Sequence, residues 1–330
     1  MKKPFKLIIR GQKLLNLVVL CGLAFSLVTQ SSKAVILLGS GDPAYNTAPP
    51  TGVLMGSGWQ YQGQWGGFLG TVIAPQYFIA AQHVGGAIGQ AFVFNGVTYT
   101  TTAYWDDSTT DLRIWKVDGV FSSYAPLYSL SDEVGKTLVV IGRGTQRGDP
   151  VTLTVVQTVY TTNVVNLKTL GISAKKAAQE FPGATFQGNT MTVVTSEVAT
   201  NMVLKGWQAG LSDGVMRWGQ NQVLAAGNLI AASFDKNGGT NEACLSGGDS
   251  SGGLFIQDGG VWKLAGINYG IEGPFGISAT DPGFYGAIFD ESGLYVGGTL
   301  IPDDGQLRPA SFYATRISPR VVWIQSVINQ

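Results

Sequence analysis

Histidine and cysteine are almost missing from this sequence, which holds one histidine and two cysteines in 330 residues. One of the two cysteines, Cys21, lies in the N-terminal segment expected to be cleaved, and the one imidazole and one thiol left are too few for a zinc site of the His/Cys kind. Charge is sparse as well. Asp, Glu, Lys and Arg make up 13% of the chain and apolar residues 45%, a balance that excludes a disordered tail or a coiled coil. Beyond the N-terminal segment no apolar run approaches the roughly twenty residues that a membrane-spanning helix needs.

The first 34 residues read separately from the rest. Lys2, Lys3, Lys6, Arg10 and Lys13 form a positive leader, and Leu14 to Val28 is almost wholly apolar. Ser32-Lys33-Ala34 then offers small residues at the two positions a signal peptidase inspects. The segment predicts a cleaved export signal over 1–34, a mature chain starting near Val35, and a secreted or periplasmic protein with no stable membrane anchor after cleavage. Cleavage would remove Cys21, leaving Cys244 alone and no disulfide possible within the chain. Six of the 21 basic residues and none of the 21 acidic ones lie in the leader, so the remainder carries 15 against 21. That acidic balance disfavours nucleic acid and anionic membrane as partners.

What the chain does have is glycine, aromatics and alternation. Forty-six glycines, twelve tyrosines and fifteen phenylalanines suit short strands joined by tight turns. Trp65 to about Tyr160 is β in texture, with Asn95-Gly96 as a hairpin turn. Ser173 to Phe181 predicts two helical turns ended by Pro182-Gly183, within a connection over 166–188 that separates two β halves. A second β series follows, with another hairpin turn at Asp258-Gly259-Gly260. At the end, Ser318 as cap, Pro319 at the first position, and Val321, Ile324 and Ile328 on one face predict a helix. The expected halves are 35–165 and 166–330.

The most specific segment is Cys244-Leu-Ser-Gly-Gly-Asp-Ser-Ser-Gly-Gly-Leu-Phe255. A serine hydroxyl becomes a useful nucleophile when a base takes its proton and amide hydrogens receive the oxyanion. Glycines around Ser250 let the backbone turn its N–H groups inward, with those of Gly248 and Ser250 as the candidate donors. Gly248-Asp-Ser-Ser-Gly252 also fits the G-x-S-x-G pattern of α/β-hydrolases, but no histidine follows the serine as that fold requires. Subtilisin order needs an aspartate before the histidine, and only Asp42, in a Gly/Pro-rich stretch, precedes His83. The order His, Asp, Ser remains. His83 ends an apolar strand with a small-residue approach, Ile79-Ala-Ala-Gln-His83. Asp111 stands just ahead of the alternating Leu112 to Val117, with Asp106 and Asp107 as competitors.

These segments resemble the trypsin/chymotrypsin family of serine proteases. Ile79-Ala-Ala-Gln-His83 is similar to its "TAAH" motif, Asp111-Leu-Arg-Ile-Trp-Lys to "DIALL", and Gly248-Asp-Ser-Ser-Gly-Gly253 to "GDSGGP". Leu264-Ala-Gly-Ile-Asn-Tyr-Gly270 resembles the "GIVSWG" strand lining the substrate cleft, and Phe312 to Gln325 the terminal "YTRV…WI" helix. The resemblance implies two antiparallel six-stranded β-barrels with a C-terminal α-helix, and a triad of His83, Asp111 and Ser250 between the barrels. It implies peptide-bond hydrolysis of a polypeptide substrate without a cofactor or metal. Its primary pocket would be floored by Cys244, or by Glu242 if a two-residue insertion is allowed, and walled by Asn268, Tyr269 and Gly270.

There are departures. Ser251 stands where the family has glycine, Gly253 where it usually has proline, and the family's disulfides are absent. Val35-Ile-Leu-Leu-Gly39 is a faint echo of the "IVGG" start, whose amine in the family pairs with the residue placed here as Asp249. Two other readings stand beside the protease: a catalytically silent binding module on the same fold, and an esterase.

Overall fold

Period-two alternation decides how the strand before His83 is used. The computed structural model describes residues 35–330, and the export signal expected over 1–34 lies outside the described residues. In strand Tyr77–Ala81 all five residues are buried, because its two faces meet two different cores. Phe78 and Ala80 point into a cluster with Trp65, Phe92, Phe94 and Trp115. Tyr77, Ile79 and Ala81 point the other way, into a cluster with Val139, Ile141, Phe255 and Leu264. Strand Leu112–Val117 repeats the division, Trp115 and Val117 going to the first cluster and Leu112 and Ile114 to the second. The larger aliphatic and phenyl side chains among them contribute about 1.5–3 kcal/mol each when fully buried.

The first cluster fills a closed six-stranded antiparallel barrel. Its strands run in the order Gln62–Trp65, Phe68–Ala74, Tyr77–Ala81, Leu112–Val117, Val97–Asp106 and Ala91–Phe94, which returns to Gln62–Trp65. Asn95-Gly96 makes the expected two-residue turn, with both residues at positive φ. Flat aromatic stacking fills the interior, with Phe78 and Phe92 ring centroids 3.9 Å apart.

The second half is a seven-stranded antiparallel sheet in the order Arg217–Gln222, Thr137–Gly142, Gly253–Asp258, Val261–Ile271, Ser311–Arg316, Leu229–Ser233 and Ala225–Ala226. Its ladder does not close. The sheet curls until Asn221 on its first strand donates its side-chain amide to the carbonyl of Ser233 on its sixth, at 2.7 Å. Two barrel-like sheets and a terminal helix are the chymotrypsin-like architecture implied by the sequence, with the second barrel bridged at its seam by a side chain. The strands of this half begin at Thr137, well before the 165/166 division drawn from the sequence.

The stretch read as a connection between halves is instead the end of an arm. Strands Thr145–Asn166 and Thr190–Ser212 pair with each other over nearly their whole length. Only the base joins the body, through Gly206, Trp207 and Gln208 pairing with Gly286–Ile288. The expected short helix, Ala174–Glu180, lies at the tip and is capped by Ser173, whose hydroxyl accepts from the Lys176 amide. At the C-terminus, helix Val321–Ile328 packs Ile324 and Val327 onto the cluster between the two halves. Ser318 does not cap it. Its hydroxyl donates to Glu133 Oε1 at 2.6 Å, in competition with capping, and the helix is entered through a 3-10 turn over Ser318–Arg320. Glu133, in the segment joining the halves, is fully buried and also takes both Nε and an Nη of Arg316 at 2.7 Å.

Candidate active site

Two loop ends meet at the seam between the halves. Strand Tyr77–Ala81 runs into a 3-10 turn over Gln82–Val84, delivering His83 to the edge of the barrel with its side chain 39% exposed. Gln82 fixes the loop opposite: its amide nitrogen donates to the carbonyls of Asp107, Thr110 and Leu112 at 2.8–3.0 Å. That loop carries Asp111. One oxygen of Asp111 accepts from the His83 backbone amide at 2.9 Å, and the other lies 2.5 Å from His83 Nδ1. The ring nitrogen nearest the carboxylate is therefore held as donor, which leaves Nε2 as the basic atom.

The competing aspartates are engaged elsewhere. Asp106 makes a two-point pair with Arg113, Nε to Oδ1 at 2.5 Å and Nη2 to Oδ2 at 2.8 Å. Asp107 accepts from Thr109 and Thr110 and lies 3.3 Å from Arg320. Burial pushes its carboxyl up, but those hydrogen bonds and the Arg320 charge outweigh it and hold the group below its ordinary range.

The serine loop descends from the second sheet. Asp249, Ser251 and Gly252 use their backbone amides within the fold, donating to the carbonyls of Ser246, Asn268 and Asp249. The amides of Gly247, Gly248 and Ser250 have no acceptor among the described residues. Gly248 has φ +94°, and a Cβ there would lie 3.0 Å from the Gly144 Cα, so the turn demands glycine. Asn268 is a bracket rather than a pocket wall: fully buried, it donates its amide to the carbonyls of Ile141 and Asp249 at 2.8 and 3.0 Å. No hydrogen bond joins Ser250 Oγ to His83 among the described residues.

Ser251 was visible in the sequence only as a departure. Here it is fully buried at φ +72°, and its hydroxyl accepts from the Ala81 amide at 3.0 Å. One hydrogen bond thus ties the residue after Ser250 to the strand ending two residues before His83, across the seam. Tyr269 was expected as pocket wall; it stands edge-on to the His83 ring at 5.9 Å. A cleft of about 180 Å³ beside the pair is lined by Asp111, Tyr269, Leu229 and Thr315, among others. A Cβ at Gly270 would meet nothing within 4 Å, so the wall there opens to space.

The two candidate floor residues go separate ways. Cys244 is buried in the core of the second half with Leu245 and Phe312, and burial pushes its thiol up. Glu242 lines a different cavity, of about 590 Å³, together with Asp235, Lys236, Phe289 and Leu307 and without Tyr269 or Gly270. There it accepts from the Asn221 side chain and the Asp235 amide, and burial raises its carboxyl to about 7.

Asp249 is almost fully enclosed, 1% exposed. Its oxygens accept from the amides of Gly144 and Ser246 at 2.7 Å, the Ser246 hydroxyl at 2.8 Å and the Val35 amide at 3.2 Å. Burial nevertheless raises it to about 6, because none of these donors is a cation. Val35 is itself buried at φ +50°, unusual for a β-branched residue, and Ile36–Leu37 pairs with Ala243–Cys244 to hold it there.

Fold and seam together define the class as a chymotrypsin-like two-sheet protein. Among solved structures the chain is similar to neuropsin, a serine protease expressed in the limbic system of mouse brain, at 12% identity over 83% of this chain and 96% of that one, with a TM-score of 0.44. It is also similar to HBP, at 14% identity over 83% and 94%, with a TM-score of 0.43. No family model matches the chain, and no curated protein does.

Proposed function

We propose that the chain is an exported serine endopeptidase, with Ser250 as nucleophile, His83 as general base and Asp111 orienting the imidazole. The observation that carries this reading is the His83–Asp111 contact, together with a serine loop in which the Gly248 and Ser250 amides are unused by the fold. In the reaction, His83 Nε2 takes the Ser250 proton while Oγ adds to the peptide carbonyl. The Gly248 and Ser250 amides receive the oxyanion. The proton then passes to the departing amine, and water hydrolyses the acyl-enzyme by the same route. The substrate is a polypeptide and no cofactor takes part.

The second reading, a binding module without catalysis, is favoured by the missing Ser250–His83 hydrogen bond. Such bonds often tighten only with substrate bound. Maturation supplies a further reason for an unfinished site. Cleavage before Val35 would turn the amide that now touches Asp249 into an ammonium, giving the buried carboxylate the cation it lacks. Labelling by a fluorophosphonate probe tests both points. A chain beginning at Val35 is expected to be modified at Ser250, at least ~10-fold faster than a chain with two residues added before Val35, the scale of losing part of one oxyanion donor. A folded chain that begins at Val35 and takes no label would establish the binding module instead.

A further inference from the structure

The arm formed by Thr145–Asn166 and Thr190–Ser212 has two unlike faces. On the face of odd-numbered residues, Val151 and Leu153 pack against the body. At the far end, Val165, Met191 and Val193 pack under the tip helices with Leu167 and Ala177. That face is in use at its two ends, while its middle is exposed and carries one large apolar side chain, Val159. The even-numbered face carries Val156, Tyr160, Val164, Val194, Val198 and Met202, which are between 55% and 73% exposed.

The register makes this face a chequerboard. Val156 lies opposite Thr200, Tyr160 opposite Ser196 and Val164 opposite Thr192, while Val198, Val194 and Met202 face Thr158, Thr162 and Thr154. Each of these six pairs thus sets a large apolar side chain beside a small hydroxyl one. Apolar positions recur every fourth residue on each strand and are offset by two across the ladder. Charge is absent as well. From Pro150 to Asn166 and from Thr190 to Leu204 Glu197 is the single residue of the Asp, Glu, Lys, Arg and His types, and it lies on the odd face. A two-stranded ribbon exposed on both sides is marginal in water, so the even face is an unfinished layer.

We propose that this face is the docking surface for a second copy of the chain, the two arms packing even face to even face about a two-fold axis. The chequerboard is self-complementary: knobs on one copy fall over the threonine recesses of the other, and no like charges meet. A charged partner would gain nothing from a face without charge. Eleven residues on each strand give a face about 37 Å long. Two copies would remove on the order of 1,200 Å² of accessible surface, at the lower limit of stable interfaces.

Sedimentation equilibrium of the chain from Val35 onward tests the proposal. The expected result is a dimer at micromolar concentration, with Val198→Lys raising its dissociation constant at least ~100-fold, since a buried unpaired ammonium would be trapped at the interface. Gln157→Lys, on the odd face, is expected to leave dimerisation unchanged, and circular dichroism with the thermal midpoint shows whether each variant is folded. If Val198→Lys fails to fold, Val198→Cys serves instead: its thiol is expected to cross-link two copies under mild oxidation, Cys244 being buried, whereas Gln157→Cys is not. A wild-type monomer up to about 100 µM, a dimer indifferent to Val198→Lys, equal sensitivity to Gln157→Lys, or a monomer that instead sediments with phosphatidylcholine vesicles would each overturn it.

Discussion

The two halves solve burial differently. The first barrel closes its own ladder around aromatic rings, and its one buried acid, Asp107, is neutralised by threonine donors and Arg320. The second leaves its ladder open and encloses acids of two kinds. Those with a cation beside them, Asp290 with Lys205 and Glu133 with Arg316, are held below their ordinary range by hydrogen bonds from those partners, which outweigh the effect of burial. Those without one, Asp249, Glu242 and Glu291, are pushed by burial to about 6, 7 and 7. Enclosure by amides satisfies hydrogen-bonding geometry but does not replace a countercharge. The first half is built to keep one shape, and the second to respond.

The largest effect expected across this division is catalytic. On the proposed reading, Ser250→Ala in the second half and Asp111→Asn in the first should each lower kcat/KM by about 10⁴ or more, and the double variant should be scarcely worse than Ser250→Ala. Losses that multiplied would mean that the halves do not act as one site. Asp106→Asn and Asp107→Asn should cost far less, and either one matching Asp111→Asn would displace the third member of the triad.

A smaller effect separates the halves by pH. An acid whose folded pKa is raised adds stability below its unfolded value near 4, and that stability is lost as pH rises through the folded value. Asp249, Glu242 and Glu291 should therefore weaken the second half between pH 5 and 8 (from the values of about 6 and 7). Asp107, lowered, works in the opposite direction, its contribution being lost on acidification below pH 4. Hydrogen exchange compared at pH 5 and 8, corrected for intrinsic rate, should show lost protection confined to residues beyond Thr137. In the chain uncut before Val35, Asp249→Asn should flatten this slope; an unchanged slope would remove Asp249 as a cause.

The smallest effect concerns the tie across the seam. Ser251→Gly relieves the positive φ and removes the hydroxyl that meets the Ala81 amide. Stability should change by less than ~1 kcal/mol, from strain relief against one lost hydrogen bond, while fluorophosphonate labelling of Ser250 slows several-fold. Ser251→Ala should slow labelling equally. If the glycine variant labelled as fast as wild type, the hydroxyl would have no positioning role.

Local chemistry was legible in the sequence wherever one residue type answered one need. The turns at Asn95-Gly96 and Gly259-Gly260 adopt the positive φ that their glycines permit, and the apolar run Phe78–Ala81 and the alternation in Leu112–Val117 placed both strands. His83 and Asp111, 28 residues apart, were linked by motif order and stand in contact. Pairings decided by distant partners were not legible. Val151 to Tyr160 looks like one more barrel strand until its partner, Ser196 to Gly206, is known. Glu242 looked like a pocket floor because an insertion leaves the register of Ala243-Cys244 ambiguous, and the structure turns it to another cavity. Ser318 has the right type and place for a cap, but Glu133, 185 residues away in sequence, takes its hydroxyl.

The bond from Ser318 to Glu133 and the cover that Ile317, Ile324 and Val327 provide also set an order of events during synthesis. The strands between Gln62 and Val117 can pair among themselves as soon as they emerge, since their partners are near in sequence. The outer face bearing Tyr77, Ile79, Leu112 and Ile114 must wait for Val139 and Ile141, then for Phe255 and Leu264, and is completed by Ile317, Ile324 and Val327. A chain delivered N-terminus first would therefore present this apolar face, with the future seam, until the second sheet and its helix had folded onto it, and a chain stalled within the second half would keep it open to chaperones and proteases.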